Sequence, residues 1–418
     1  MFQVLSRSWA LLLGMMLLMV GNGLQGTLLG VRGGIEGFST FEMSIVMSAY
    51  FAGFLGGSRL APEMIRRVGH VRVFAALASF ISAILILYPA FAHPLAWALG
   101  RVVIGFCFSG VYVTAESWLN NSADNTNRGK ALSVYMIVQM FGLVIAQVLL
   151  AMGDVSGYAL FIVSSVLVSI SFAPILLSIS PTPAFETAKP MRLKTLIKIS
   201  PLGCFGMFLL GGVFSAQFGM SAVYGVAAGL TITQISFFVS SIYVGALLMQ
   251  YPIGWFSDRV DRRLVILIVA SLGGVMSLVA FSFDQYFSAL LAAAFIIGGT
   301  SNPLYSLLIA YTNDYLEADD MASASGGLIF INGMGAISGP LVTGKMMDIF
   351  GTQAFFMVIA TLMLTLTGYA GYRMTQRSRD GIEDGLYAPV MPSSSPVAVE
   401  VASEYYIETA MDEEENKT

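Results

Sequence analysis

The sequence predicts an all-α integral membrane protein whose twelve transmembrane helices form two six-helix repeats. Three observations carry that prediction. Only 11% of the 418 residues are charged and 56% are hydrophobic, whereas water-soluble domains carry about 25% charged residues. The apolar residues gather into twelve stretches close to the ~20 residues a helix needs to cross a bilayer core. Polar and glycine positions of the first six stretches recur in the last six at a nearly constant offset. The 43 glycines and 24 methionines fit the same class, because glycine is commoner in transmembrane helices and lets them pack closely.

The stretches lie at about 9–30, 42–61, 71–91, 95–119, 131–151, 157–178, 201–227, 233–257, 264–283, 287–311, 322–344 and 353–373. A signal peptide is the rival reading of the first, since Arg7 precedes an apolar run, but that run continues past Gly30 with no A-x-A site. Lysine and arginine in the connections set the direction. With the N-terminus inside, 18 of the 21 fall in the even-numbered connections and at the two ends, leaving only Arg32, Arg101 and Lys345. Both termini are expected in the cytoplasm, on a multi-pass protein of the plasma membrane. The connection after the tenth span, with Asp314, Glu317, Asp319 and Asp320 and no base, does not overturn this, because acids count little in the rule.

Charge is uneven along the chain. Residues 380–418 hold ten acids against Lys417 alone, net −9, while 1–379 is net +5. The expected organisation is a six-helix bundle at 1–178, a cytoplasmic linker at 179–200 with three prolines and four bases, a second bundle at 201–375, and an acidic disordered cytoplasmic tail at 376–418. The two cysteines, Cys107 and Cys204, lie in apolar stretches, and the two histidines, His70 and His93, stand in different loops. A disulfide framework, a metal cluster and a histidine-based triad are therefore not expected, and neither is a cofactor.

Comparing the halves at an offset of 192–193 pairs Gln25 with Gln217, Arg67 with Arg259, Gly105 with Gly298, Tyr112 with Tyr305, Asn120 with Asn313 and Gly142 with Gly335, and sets Gln139 opposite Asn332. A parallel repeat of six plus six spans implies alternating access around a midplane site between the halves.

Between the eighth and ninth spans runs Gly254-Trp255-Phe256-Ser257-Asp258-Arg259-Val260-Asp261-Arg262-Arg263. It resembles the G-x-x-x-D-R-x-G-R-R signature of the major facilitator superfamily, with Asp261 in place of the second glycine. The first-half copy, Pro62 to Arg72, is degraded: Pro62 and Arg66 replace glycine and aspartate, while Arg67, Gly69 and Arg72 fit. The resemblance covers about residues 5–375 and is nearest the YcaD-type bacterial branch. Glu116-Ser117-Trp118-Leu119-Asn120, then Arg128-Gly129, and the run from Pro303 through Asn313-Asp314 to Gly339-Pro340 read that way. It implies the major facilitator fold and a gating role for Arg67, Gly254, Asp258, Arg259, Arg263 and Asp314. Physics offers the same role independently, since an aspartate followed by arginines at a helix end can hold one conformation by pairing with neighbouring spans and helix termini; a merely solvated basic loop is the alternative.

Two charges sit well inside spans, Arg101 and Glu116, both on the fourth. At 3.6 residues per turn Arg101, Gly105, Phe108, Tyr112 and Glu116 form one stripe, its ends about 22 Å apart. Arg101 resembles the arginine of the superfamily's fourth-span R-x-x-x-G pattern, which implies anion binding or proton coupling; snorkelling to interfacial water is the alternative. Tyr112, Glu116, Arg128 and Gly129 resemble the gate network of sugar porters, with a proton site or a bland interfacial acid as the other readings of Glu116. Neutral polar residues supply the expected cavity wall: Asn22, Gln25, Gln139, Gln217, Tyr243, Asn302, Tyr305 and Asn332. Each needs a polar partner in the bundle interior whether or not it touches a solute. Gly335, Gly339, Pro340 and Gly344 resemble an antiporter pattern moved from the fifth span to the eleventh, which disfavours a multidrug substrate.

The function expected is secondary transport of a small polar solute with at most one negative group, coupled to protons, because the chain has no Walker motif or other energy source. A transport-dead sensor of the same fold and an efflux pump for amphipathic compounds are the rivals. The expected partners are the solute, lipid and protons, with no nucleic acid, and the expected state is a monomer.

Overall fold

The computed structural model describes residues 2–122, 128–174, 191–376, 387–395, 397–399 and 402, and among these there is no strand. The helices of the first half are α1 (Phe2–Ile35), α2 (Thr40–Val68), α3 (His70–Ala90), α4 (Pro94–Ser122), α5 (Arg128–Met152) and α6 (Ala159–Ser171). A short α7 (Leu193–Ile199) precedes the second half: α8 (Pro201–Ala227, with a π turn at Ala216–Met220), α9 (Ile232–Ser257), α10 (Arg262–Ser282), α11 (Phe287–Asn313), α12 (Ala318–Phe350) and α13 (Ala354–Gln376). Ten of these are long and apolar enough to cross a membrane. The other two of the twelve bundle helices are α2, which carries Glu42, Arg59, Glu63, Arg66 and Arg67, and α6, of which 13 residues are described. The α2–α3, α4–α5, α9–α10 and α11–α12 connections share one end of the bundle with the linker, called the linker end below.

Local chemistry builds the two halves alike. Gly37 and Gly229 take positive φ, 77° and 73°, where a side chain would be strained. Two residues later Ser39 and Thr231 cap α2 and α9, each in a reciprocal capping box with Glu42 or Gln234, which satisfies two orphan N–H groups at each helix start. Packing repeats at the same offset. A Cβ on Gly105 would overlap the Tyr50 carbonyl, and one on Gly298 would overlap the Ile242 carbonyl. The glycines thus let α4 lie directly on α2, and α11 on α9. Outward faces stay apolar: Leu264, Ile268, Leu272 and Val275 form an exposed stripe along α10, as lipid contact requires.

The halves meet toward the end opposite the linker. Ser48 donates to the Ile337 carbonyl at 2.5 Å, Ser44 packs on Gly344, and Ala222 packs on Gly30. Nearer the linker end Arg59 stacks over Phe330 at 4.4 Å, and beyond it the gap between the halves is filled by the chain itself. There the structure departs from the expected unpacked tail: Ala388, Val390, Met391, Ala398 and Val399 are buried in the same core as the spans. The reason is a short apolar island, Ala388 to Val399, that the acidic average of the last 39 residues conceals. Lys189, the tail's acidic run and the other residues at 123–127, 175–190, 377–386 and 403–418 lie outside the described set.

Candidate functional site

The α4 stripe organises the site. Because Gly105 brings α4 onto α2, the Tyr50 ring lies under the Arg101 guanidinium at 4.7 Å. Arg101 is 4% exposed, so it does not snorkel. Its Nη1 donates to Gln25 Oε1 at 3.1 Å, and Gln25 Nε2 in turn donates to Asn22 Oδ1 at 3.1 Å. Nη2 points at the Met47 sulfur at 3.4 Å, and Nε has no partner. Among the described residues no carboxylate forms an ion pair with it. A buried guanidinium with one unused donor and no counter-ion is arranged to receive an anion.

Around it lies a cavity between the halves, lined by Asn22, Gln25, Tyr50, Phe51, Phe54, Arg101 and Tyr112 on the first-half side and by Phe214, Phe218, Tyr243 and Asn332 on the second. The aromatic wall is continuous: Tyr50 to Phe54 at 6.1 Å, Phe54 to Tyr112 at 6.0 Å, Phe51 to Phe214 at 6.2 Å across the halves, Phe214 to Phe218 at 4.2 Å and Phe218 to Tyr243 at 5.2 Å. One cation, a few amides and many rings therefore face a single space. Such a space suits a solute with one anionic group on an apolar or planar body.

Six of the ten residues expected in the wall line this cavity: Asn22, Gln25, Arg101, Tyr112, Tyr243 and Asn332. Asn332 also ties α12 to α8 by donating to the Met207 carbonyl at 3.0 Å. The other four lie elsewhere in the core. Gln217, on the π turn, accepts from Ser301 at 3.1 Å, and Gln139, Asn302 and Tyr305 are buried away from the cavity lining. Hydropathy does not report which buried polar side chains face the cavity. Tyr50, Phe51, Phe54, Phe214 and Phe218 went unmarked in the sequence; the i, i+4 spacing of Tyr50 with Phe54 and of Phe214 with Phe218 was the available signal.

The expected gate residues separate into three arrangements. Arg67 pairs with Glu63 of its own helix at 2.7 Å, both exposed, and Arg259 folds back on the Trp255 carbonyl and ring. Arg263 pairs with Asp261 at 2.9 Å, and Asp314 pairs at 2.5 Å with buried Arg262, a partner absent from the sequence reading. Asp258, Gly254 and Glu116 instead contact the C-terminal segment: Asp258 accepts the Tyr387 N–H at 2.7 Å, Gly254 lies against the Tyr387 ring, and Glu116 accepts the Ser395 N–H at 2.9 Å and the Tyr135 hydroxyl at 3.4 Å. Arg128 opens α5, and its side chain lies outside the described residues.

A bundle of two similar six-helix halves around a cavity, lipid-facing on its outside, defines a multi-pass membrane transporter fold. A family model of the Major Facilitator Superfamily matches residues 11–231 and 203–381, and the chain belongs to that family. It is 28% identical over 375 residues to the "Uncharacterized MFS-type transporter YcaD" of Escherichia coli (strain UTI89 / UPEC), covering 87% of this chain and 95% of that protein. The solved nucleoside transporter NupG shares the fold with a TM-score of 0.74 at 16% identity, over 89% of this chain and all of its own. A bacterial homologue of the human lysosomal transporter Spinster, solved in an inward-facing and unoccupied conformation, gives 0.69 at 13% identity over 97% of this chain and 98% of its own.

Proposed function

We propose that this chain is a secondary transporter that carries a small organic solute bearing one anionic group, by alternating access between its two halves. The observation that supports this most is Arg101, buried, without an acid partner among the described residues, and keeping an unused Nε donor beside an aromatic cavity. The anionic group would meet the guanidinium, and the solute's body would pack on Tyr50, Phe54 and Phe218. Proton coupling belongs to the same proposal, with Glu116 as the buried carboxyl nearest the route to the linker end. The basic bias of the loops supports a cytoplasmic linker end, with both termini inside.

Purified protein should be stabilised against heating by members of a monocarboxylate panel. Arg101→Lys should keep part of that stabilisation, and Arg101→Gln should lose more, because lysine preserves the charge but not the two-toothed fork. Equal ligand responses in all three proteins would remove Arg101 from the site. Uptake into proteoliposomes with and without a pH gradient tests the coupling: equal uptake in both would leave facilitated diffusion.

A further inference from the structure

Residues 387–395 cross the gap between the halves at the linker end, and different halves hold the two ends of the run. On the second half, the Tyr387 N–H donates to Asp258 at 2.7 Å and its hydroxyl accepts from Gln250 at 2.6 Å. Next, the Val390 N–H donates to the Ser306 hydroxyl at 2.9 Å, and that hydroxyl donates back to the Val390 carbonyl at 3.0 Å. On the first half, the Ser395 N–H donates to Glu116 at 2.9 Å. Between these anchors Pro392 and Ser393 form part of the lining of the Arg101 cavity. Backbone bonds from a non-helical segment that turns at Met391–Ser394, where the Ser394 N–H donates to the Met391 carbonyl at 2.9 Å, with small side chains fitted between helices, are the features of peptide recognition. Pro389 and Pro392 each fix one backbone φ, Pro392 at the second position of that turn, which reduces the ordering needed to seat the segment.

We infer that the linker-end vestibule is a peptide-binding groove whose occupant is this chain's own segment 387–395, and that seating it holds the transporter at rest, with the halves apart at the linker end and the cavity shut off there. The tether argues for this occupant. Tyr387 is eleven residues beyond the end of α13 at Gln376, a reach of about 36 Å when extended, so the groove meets the segment at an effective concentration in the millimolar range. The choice of state follows from volume. Closing the halves at the linker end would require the space that Pro392 and Ser393 occupy, so a seated segment favours the opposite arrangement. Asp258 and Glu116, the acids expected to serve the gate, are the two that hold the segment. The resting role rests on the reading of this cavity as the solute site; the groove and its occupant do not.

The test needs no solute. In full-length protein carrying Cys107→Ser and Cys204→Ser, a single Ser58→Cys on the cavity wall reports access by its rate of reaction with N-ethylmaleimide, read by mass spectrometry. Three prolines, Tyr387→Pro, Val390→Pro and Ser395→Pro, remove three of the anchoring N–H groups without touching the bundle, and labelling should rise at least ten-fold. A chain ending at Arg379 should label equally fast. Three prolines beyond the seat, Glu404→Pro, Glu408→Pro and Met411→Pro, should leave the slow rate unchanged. Equal rates in the seated, unseated and shortened proteins would overturn the inference, and so would fast labelling of the control. A failed carboxylate response in the Arg101 variants would leave this result readable, since the labelling depends on the groove alone.

Discussion

Replacing Arg101 with methionine separates a ligand-binding cation from a structural one. The substitution keeps an unbranched side chain of similar length and removes the charge. It forfeits the charged bond to Gln25, worth about 1.5–3 kcal/mol, and the stacking on Tyr50, worth about 2 kcal/mol when desolvated. Against these stands relief of the desolvation penalty, several kcal/mol for an ion buried without a counter-charge. The terms nearly cancel, so the ligand-free variant should differ from the parent by about 1 kcal/mol or less, a shift of about 2–4 °C for a half of this size. Ligand response is where the two proteins should part. At a concentration 100-fold above Kd a bound carboxylate stabilises the parent by about 2.7 kcal/mol, roughly 5–10 °C, and should leave Arg101→Met unmoved. The assay is thermal unfolding in detergent followed by intrinsic fluorescence, with and without the carboxylate. A ligand-free loss of about 3–5 kcal/mol would mark Arg101 as a structural tie, and a retained ligand shift would place the anion elsewhere; either result refutes the reasoning.

Other expectations follow from packing, charge and topology. Gly105→Ala and Gly298→Ala each drive a methyl into a carbonyl of the facing helix, so both should destabilise by about 1–3 kcal/mol, and unfolding curves in which only one responds would contradict the equivalence of the halves. Asp314→Asn takes the carboxylate from a pair whose side chains are 3% and 1% exposed and should lower the melting temperature clearly, whereas Arg67→Gln, at an exposed pair, should leave it almost unchanged; the reverse order would overturn the ranking by burial. Alkaline phosphatase fused after Pro190 or after Arg379 should be inactive in cells, and high activity at either point would invert the membrane orientation.

How much of this was legible depended on whether the signal was local. Among the described residues each expected span falls on a helix, because about 20 consecutive apolar residues have few other uses. The helices overrun those limits where polar caps extend them, as Ser39 with Glu42 does at the start of α2. That cap and its counterpart at Thr231 and Gln234 carry the same 192-residue offset as the other matches, so a further line of evidence for the repeat was available in the sequence. The Arg101–Tyr112 stripe was legible from helical periodicity alone. Tyr50 and Phe218 were not, since an aromatic residue in an apolar helix looks the same whether it faces lipid, a neighbour or a cavity, and only tertiary packing decides. For the same reason Gln139, Gln217, Asn302 and Tyr305 could not be told from cavity residues. The 387–395 segment was hidden by averaging: its apolar and small residues sit amid ten acids, and its partners, Asp258, Ser306 and Glu116, are distant in the chain.

The central claim, that the Arg101 cavity carries a solute with a single anionic group across the membrane, is tested most directly by counterflow. Proteoliposomes preloaded with each member of a panel of aromatic and aliphatic monocarboxylates, matched uncharged amides and matched amines are given the labelled form of the same compound. The account predicts that at least one monocarboxylate accumulates transiently with the parent protein, that its amide and amine do not, and that Arg101→Gln abolishes the accumulation. Exchange confined to amides or amines, or a carboxylate exchanged equally by the parent and Arg101→Gln, would contradict it.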